Sequence, residues 1–253
     1  MQLIRFKLKS YGISDIGLIR QNNEDVWSSI PECNFFALAD GMGGHKAGEV
    51  AAKEAISKLC ESFSQKFSLS TGKSATSHIS NLLNQAIKEA NAWVYNMASQ
   101  NESFQGMGTT LCCFLLYEQT LIYAHVGDSR IYRFRDGVLK QLTVDHSLRS
   151  ELIATGQLDE GTASLFPYKN IITRAIGTSP QVEPDIDACS VEPEDIYFLC
   201  SDGLTDYVTI NEMHVILSQA KTIKEASEAF VNVAKEKGGN DNITVVMIKV
   251  FNE

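Results

Sequence analysis

Residues 35–44, with the sequence FFALADGMGG, contain the pattern from which we interpret the rest of the chain. The apolar run at 35–39 predicts a buried strand that ends at Asp40, and three glycines follow within four positions. An ionised carboxylate at the margin of a core is costly unless a cation or hydrogen bonds meet it. Glycine lets a backbone carbonyl approach an ion closely. Taken alone, the Asp-Gly step fits a hairpin turn as well as it fits a metal site.

The same arrangement, an aspartate beside a glycine at the edge of an apolar run, recurs along the chain. Asp202 ends the run that begins at residue 196, Asp128 follows a glycine after another run, and Asp241 precedes the last run. Glu24 and Asp25 add two neighbouring acids. Convergence on one cationic centre explains these repeated acids better than a series of unrelated turns.

The type of ligand selects the type of ion. Sites built from carboxylates, carbonyls and water suit hard cations such as Mg²⁺, Mn²⁺ or Ca²⁺. An aspartate shared by two ions about 3.5–4 Å apart gives the geometry that activates a water for attack on phosphorus. Arg20, four residues before Glu24, then suits a bidentate contact to a phosphate.

Composition limits the class of protein. The chain has 253 residues, 44% of them hydrophobic and 21% charged, and shows no linker, so we predict a single domain over residues 1–253. The net charge of −9 argues against a nucleic-acid partner. No apolar run approaches the roughly 20 residues that span a bilayer, so we expect no membrane partner. Six cysteines without a CxxC pair and no signal-peptide pattern predict a reduced, cytoplasmic protein.

Apolar periodicity predicts the elements. Residues 3–8 and 11–18 are predicted as two separate strands, and residues 48–67 and 79–97 as two consecutive amphipathic helices. Thr222 and Glu225 form a capping-box pattern that opens another helix. Many short strands without βαβ alternation predict an α+β domain in which antiparallel sheets lie between layers of helices.

Seven short motifs in one order identify a family resemblance. They are RQNNED (20–25), ADGMGGH (39–45), GMGTT (106–110), VGDSR (126–130), ITRAIG (172–177), SDGL (201–204) and NDNITVV (240–246). Together they closely resemble the metal-dependent serine/threonine protein phosphatases of the type 2C class, in the bacterial form. The resemblance covers nearly the whole chain. It implies a four-layer α-β-β-α sandwich with two central antiparallel β-sheets flanked by helices.

The resemblance also implies a set of metal ligands. Asp40 is expected to bridge two Mn²⁺ or Mg²⁺ ions. The carbonyl of Gly41 helps to bind one of them, and Glu24 contributes through a water. Asp202 and Asp241 hold the other ion.

Further roles follow from the same resemblance. Asp128, together with Asp202, corresponds to acids that hold a third, weaker ion in bacterial members. Arg20 is expected to contact the substrate phosphate. Three residues are expected to support the ligands from behind, namely Asp25, Asn242 and Thr110. A flap near the active site is expected at about residues 148–170.

One position departs from the family pattern. In the animal branch a histidine follows the Asp-Gly step and is proposed as the general acid for the leaving oxygen, but this chain has Met42 there. His45 lies three residues further on and is not assigned the role. The identity of the general acid therefore stays open.

The predicted reaction is Mn²⁺- or Mg²⁺-dependent hydrolysis of phosphoserine and phosphothreonine in proteins by a metal-activated water, without a phosphoenzyme. One alternative is a catalytically silent regulatory binding protein of the same fold, and another is a different two-metal phosphoester hydrolase. The expected partners are phosphorylated proteins and, by analogy, a cognate serine/threonine kinase. We expect a monomer.

Overall fold

The computed structural model describes residues 6–43, 47–70, 75–159, 161–163, 166–168 and 171–252. Its strands are β1 (Phe6–Asp15), β2 (Asp25–Ile30), β3 (Phe35–Met42), β4 (Gly108–Thr109), β5 (Leu111–Tyr117), β6 (Thr120–Val126), β7 (Arg130–Arg135), β8 (Val138–Gln141), β9 (Asp185–Ser190), β10 (Ile196–Cys200) and β11 (Ile243–Asn252). Its α-helices are α1 (Ala47–Leu69), α2 (Thr76–Gln100), α3 (Leu148–Ala154), α4 (Asp202–Thr205), α5 (Ile210–Gln219) and α6 (Ile223–Glu236).

The strands form two antiparallel sheets. The first sheet has the order β1-β11-β10-β7-β8, and the second has the order β2-β3-β5-β6-β9, with β4 paired to the end of β3. The connection from β6 to β7 crosses from the second sheet to the first. Asp128 lies on this crossing, which places it between the two sheets.

Helices α1 and α2 cover the outer face of the second sheet. The buried residues of this interface include Leu59 and Phe63 of α1, Leu83 and Ile87 of α2, and Phe35 of β3. The rings of Phe35 and Phe63 stack with centroids 4.9 Å apart. The apolar stripes of the two helices, predicted from their three- and four-residue spacing, therefore face a sheet as expected.

The two sheets pack against each other through a second apolar layer. Phe36 and Phe114 from the second sheet and Tyr197 and Val246 from the first are buried in it. The rings of Phe114 and Tyr197 lie 6.5 Å apart across this interface. Phe35 and Phe36 point to opposite faces because successive strand residues alternate, which explains why the run at 35–39 is apolar throughout.

Helices α4, α5 and α6 cover the outer face of the first sheet. Phe230 of α6 lies 5.4 Å, centroid to centroid, from Phe198 of β10, and Met213 and Leu217 of α5 join the same buried cluster. Three apolar interfaces thus separate four layers. The predicted α-β-β-α sandwich with two central antiparallel sheets is confirmed.

The start of the chain differs from the prediction. Residues 6–15 form one continuous strand, β1, which pairs with β11 along its whole length, and not two separate strands. Gly12 lies in the middle of β1, where a Cβ atom would come within 2.4 Å of the ring of Trp27. The glycine therefore makes room for a tryptophan between the sheets and does not break the strand. Residues 3–5 lie outside the described part of the chain.

Among the described residues, none of the helices has the length and apolar character needed to cross a membrane.

Candidate active site

A cavity of about 290 Å³ opens where the ends of β3, β6, β10 and the start of β11 meet. Five of its lining residues are acids, namely Glu24, Asp40, Asp128, Asp202 and Asp241. The other lining residues are Arg20, Gly41, Met42, Gly43, Thr110, Ile172 and Asn242. Acids that are up to 217 positions apart in the sequence, from Glu24 to Asp241, thus share one cavity.

Asp40 is fixed by backbone hydrogen bonds at the end of β3. Its N–H donates to Oγ1 of Thr110 at 3.0 Å, and its carbonyl accepts from the N–H of Thr110 at 2.8 Å. The hydroxyl of Thr109 donates to the same carbonyl at 2.8 Å. These bonds satisfy the backbone of Asp40 and leave its carboxylate to face the cavity.

Gly41 allows three backbone segments to meet. Its N–H donates to the carbonyl of Glu24 at 3.1 Å. A Cβ atom at this position would come within 2.2 Å of the carbonyl oxygen of Gly48. A Cβ at Gly48 would in turn come within 2.3 Å of Oε2 of Glu24. The two glycines therefore allow the backbone at Gly41 and the backbone at Gly48 to approach each other closely beside Glu24.

Asn242 holds the segment that carries Arg20 and Glu24. Its Oδ1 accepts from the N–H of Glu24 at 2.8 Å, and its Nδ2 donates to the carbonyls of Ile16 and Asn22 at 3.0 Å each. Beside it, Arg20 donates to Oδ2 of Asp241 at 2.7 Å, while half of the arginine side chain stays exposed.

Asp128 lies on a tight turn between the sheets. Gly127, which precedes it, has a φ of +102°, and a Cβ there would come within 2.8 Å of Cβ of Thr110. Ser129, which follows it, shares a hydrogen bond of 2.7 Å with Oγ1 of Thr110. Thr110 therefore contacts both the turn that carries Asp128 and the strand end that carries Asp40.

Asp25 lies behind the cavity and does not line it. It pairs directly with Asp40 across β2 and β3, and it is buried. Its Oδ2 accepts from the hydroxyl of Ser201 at 2.8 Å, whereas its Oδ1 has no hydrogen-bond partner among the described residues. The sequence pattern predicts no role for Ser201, although it precedes Asp202 in the SDGL motif.

The acids raise one another's pKa. Burial, followed by the charges of Asp25 and Asp202, raises the pKa of Asp40 well above its usual range. Burial raises the pKa of Asp25 to about 7, with Asp202 adding to it, and burial together with Asp202 raises that of Asp128 to about 7. Burial and Asp241 raise the pKa of Asp202 to about 6. Such crowding is relieved by protons or by cations.

The residues present fit a divalent cation. Among the described residues, five carboxylates and one guanidinium line the cavity, and Oδ1 of Asp25, which pairs with Asp40 across β2 and β3, has no hydrogen-bond partner. All the charged oxygen ligands are hard donors, which Mg²⁺ and Mn²⁺ prefer. The chemistry of the donor set thus agrees with the predicted type of ion.

The structure extends the predicted site in two places. Ile172, from the ITRAIG motif, lines the cavity, and so does Met42 at the position where the animal branch has a histidine. The sequence alone assigns Ile172 no role, and in the structure it forms an isolated bridge with Ser147. His45 and parts of the expected flap lie outside the described residues.

The chain shares its sequence and fold with known proteins. The sequence profile described as Protein phosphatase 2C matches residues 17–244. The serine/threonine phosphatase stp of Listeria monocytogenes is 38% identical over 239 residues, which cover 93% of each chain. The structure of the serine/threonine phosphatase Stp1 from Staphylococcus aureus matches with a TM-score of 0.87 and 35% identity, covering 98% of this chain and 97% of that chain.

A further solved structure bears on the cavity. The catalytic domain of the serine/threonine protein phosphatase PstP, determined in complex with two manganese ions, matches with a TM-score of 0.83 and 33% identity. The match covers 98% of this chain and 100% of the PstP chain.

Fold and site together define an enzyme of the phosphoester hydrolase class, built as a four-layer sandwich with a carboxylate-lined cavity. Within that class, the chain belongs to the protein phosphatase 2C family. The predicted enzyme class, a serine/threonine protein phosphatase, is confirmed.

Proposed function

We propose that this phosphatase hydrolyses phosphoserine and phosphothreonine side chains of proteins in a reaction that requires Mn²⁺ or Mg²⁺. The observation that carries the proposal is the convergence of five carboxylates and one guanidinium on a single cavity of about 290 Å³. Relatives with at least 35% identity that are named serine/threonine phosphatase or protein phosphatase support the type of substrate.

The residues that would hold the ions are those that the family resemblance implies, and all of them line the cavity. Asp40 would contribute to holding two ions, the carbonyl of Gly41 and, through a water, Glu24 would help to hold one of them, and Asp202 and Asp241 would hold the other. Asp128 faces the same cavity and would hold a third, weaker ion together with Asp202. The two manganese ions in the related PstP domain support this assignment. When bound, such ions polarise the phosphate ester and lower the pKa of a nearby water.

The chain's own residues orient the substrate. The half-exposed guanidinium of Arg20 offers two parallel N–H groups to the phosphate oxygens, the geometry in which arginine binds phosphate best. The hydrogen bond to Asp241 fixes the orientation of the Arg20 side chain at the edge of the cavity. Met42 and Ile172 line the cavity with apolar groups and limit how much water surrounds the phosphate.

Two features support direct hydrolysis without a phosphoenzyme. No cysteine lines the cavity in the part of the chain that the structure describes. Burial raises the pKa of the thiols of Cys112 and Cys200, so neither forms the thiolate that a covalent mechanism needs. Met42 has no proton to donate, so protonation of the leaving oxygen falls to another group.

The test compares phosphopeptide hydrolysis by the wild type, Asp202→Asn and Asp136→Asn, each with Mn²⁺ and with excess EDTA. Asp136 lies on the exposed Asp-Gly turn between β7 and β8 and provides a matched control far from the cavity. We expect EDTA and Asp202→Asn each to lower kcat/KM by at least about a thousandfold, and Asp136→Asn to leave it unchanged. Activity that survives both treatments would refute the proposal.

The same assay separates the alternatives. Faster turnover of nucleotides or sugar phosphates than of phosphopeptides would favour a small-molecule phosphatase, and absence of turnover with bound Mn²⁺ would favour a silent binding protein. A cognate kinase, a monomeric state, a cytoplasmic location and a single domain over residues 1–253 stay predictions.

A further inference from the structure

A pair of histidines lies behind the turn that carries Asp128. His125 and His146 are both buried, and their rings stack with centroids 4.4 Å apart. One nitrogen of each ring and one oxygen of Asp185 lie within 4.8 Å of one another. Neither histidine lines the cavity of the candidate active site. The proposed function assigns them no task.

His146 and Gly127 bind each other through two hydrogen bonds. The backbone N–H of Gly127 donates to Nδ1 of His146 at 3.2 Å, and the backbone N–H of His146 donates to the carbonyl of Gly127 at 2.9 Å. Thr110 confines Gly127 from the other side. The turn that carries Asp128 is therefore held between a threonine and a histidine.

These contacts select one tautomer of His146. Because the N–H of Gly127 points at Nδ1, this nitrogen is an acceptor, and the proton of the neutral ring is on Nε2. Nε2 faces Oδ2 of Asp185 at 3.3 Å, a direction that suits donation. Nη1 of Arg174 also lies 3.3 Å from this nitrogen, but a guanidinium can only donate, and the shorter bond of Nη1, 2.9 Å, goes to the other oxygen of Asp185.

The tautomer argues against a metal site at this cluster. A cation on Nε2 would have to displace its proton while Nδ1 still accepts from Gly127, and a neutral imidazole cannot offer both nitrogens as acceptors. The guanidinium of Arg174 beside Asp185 would also repel a cation. The cluster is better suited to hold a backbone turn than to bind an ion.

The same histidine also fixes the base of the segment in which the flap is expected. The carbonyl of His146 accepts from the N–H of Thr173 at 2.8 Å, and the N–H of Leu148 donates to the carbonyl of Ile171 at 2.9 Å. These bonds join the chain at the start of α3 to residues 171–173 at the beginning of the ITRAIG motif. His146 thus contacts both this base and the turn that carries Asp128.

We propose that His146 is a positioning residue, whose Nδ1 fixes the Gly127 amide and thereby holds Asp128 in the geometry that binds the weaker ion. The inference rests on the proposed function, because it assumes that Asp128 is a ligand. Through Thr110, which contacts Ser129 and the backbone of Asp40, the turn is also coupled to the principal acid.

Two substitutions each remove one of the two side-chain contacts of His146, the contact to Asp185 or the contact to Gly127. In His146→Asn the side-chain oxygen lies near the position of Nδ1 and can accept from Gly127, but the donor to Asp185 is lost. In His146→Gln the amide reaches toward Asp185, but Gly127 loses its acceptor. His125→Gln is the control, because an amide can still donate to the carbonyl of Val144, as Nε2 of His125 does at 2.8 Å.

The first measurements use the metal-free protein and need no activity. Nitrogen-15 NMR of the wild type should show His146 with its proton on Nε2, and amide hydrogen exchange should show protection of Gly127. We expect this protection to fall about tenfold or more in His146→Gln and to persist in His146→Asn and His125→Gln. The opposite tautomer, or equal protection in both variants at position 146, would overturn the inference.

The second measurement is Mn²⁺ binding by calorimetry. Loss of a group that orients a ligand typically costs 10–100-fold in metal affinity, so we expect His146→Gln to weaken the weakest Mn²⁺ site at least about tenfold and His146→Asn to retain it. Equal affinities in both variants, or a Zn²⁺ ion bound by His125 and His146, would overturn the inference. An inactive wild type with the expected tautomer and amide protection would instead refute the proposed function.

Discussion

At the scale of single residues, Arg20 is the group whose charge differs from that of its surroundings. The described lining of the cavity contains five carboxylates and one guanidinium, and that guanidinium is already paired with Asp241. A phosphate dianion would be repelled by the acids without cations to neutralise them. Arg20 and the ions therefore act together on the substrate, and the shape of the guanidinium should matter as well as its charge.

Replacing Arg20 with lysine tests this point. Lysine keeps the charge but cannot form two parallel hydrogen bonds, so we expect kcat/KM for a phosphopeptide to fall roughly tenfold in Arg20→Lys, mainly through KM. Arg149→Lys is the control, because the ion pair of Arg149 with a described residue, Asp145, is longer, at 3.8 Å. Steady-state kinetics at saturating Mn²⁺ give the comparison, and unchanged kinetics in Arg20→Lys would contradict it.

His125 gives a pH-dependent contribution to stability. Burial lowers the pKa of His125, whereas an unfolded histidine titrates near about 6.5. Because the unfolded chain then binds more protons, the stabilising contribution is present above about pH 6.5 and is lost as the pH falls below it.

The difference in the free energy of unfolding between the wild type and His125→Gln isolates the contribution of His125. We expect the free energy of unfolding of the wild type, relative to the variant, to decrease between pH 7 and pH 5 by at most about 1.4 kcal/mol per pH unit. Urea unfolding in EDTA measures it, and subtraction cancels the titration of the cavity acids. A difference that does not change with pH would exclude this role.

The acids that line the cavity were easier to predict from the sequence than the residues that support them through hydrogen bonds. Asp40, Asp202 and Asp241 follow or precede apolar runs beside glycines, a local pattern visible within a few residues. The hydroxyl of Ser201 and the side chain of Asn242 act on partners 176 and 218 positions away, on Asp25 and Glu24. No local pattern reports a contact at such separations.

At the scale of elements, the longest amphipathic segments were predicted best. Helices α1 and α2 extend only one to three residues beyond the predicted ranges 48–67 and 79–97 at each end. We had not predicted helix α5, although Thr209 and Glu212 form a capping box at its start. Its ten residues bury only Met213 and Leu217, so its apolar stripe is short.

A buried asparagine joins helix α2 to the ITRAIG motif. Oδ1 of Asn91 accepts from the N–H of Gly177 at 2.8 Å, and Nδ2 donates to the carbonyl of Ser179 at 3.0 Å. We expect Asn91→Ala to lower the free energy of unfolding by about 2 kcal/mol, because the buried N–H of Gly177 loses its acceptor and the carbonyl of the exposed Ser179 loses its donor. Urea unfolding measures the loss.

Asn81→Ala provides the matched control, because Asn81 is exposed on the same helix. Alanine favours helix, so the control should stay within about 0.5 kcal/mol of the wild type or be slightly more stable. Equal destabilisation by the two substitutions would show that the contacts to Gly177 and Ser179 contribute nothing specific.

At the scale of the whole molecule, the acids come from both sheets. Glu24 and Asp40 belong to the side of the second sheet, Asp202 and Asp241 to the side of the first, and Asp128 to the connection between them. The layered fold was predictable from apolar periodicity and from the resemblance. The order of strands was not, because β1 and β11, at distant positions in the sequence, are neighbours.

An ion bound across the two sheets should stabilise the whole fold. At a Mn²⁺ concentration 100 times its dissociation constant we expect a gain of about 2.7 kcal/mol. For a domain of this size that corresponds to a rise in melting temperature of roughly 5–10 °C. Calorimetry with Mn²⁺ and with EDTA measures it.

The increase in stability with Mn²⁺ should be lost in Asp202→Asn and kept in Asp136→Asn. Like charges at close range destabilise the metal-free protein, so Asp202→Asn in EDTA should be as stable as the wild type or more so. An equal Mn²⁺ effect in wild type and Asp202→Asn would place the stabilising ion elsewhere.

The position of β11 between β1 and β10 has a consequence for synthesis on the ribosome. While residues 16–242 emerge, the ten residues of β1 have no strand to pair with on the side that β11 later occupies. The nascent chain must carry this open edge until residues 243–252 leave the exit tunnel. Phosphatase activity should therefore appear only after residues 243–252 have left the tunnel and paired with β1 and β10.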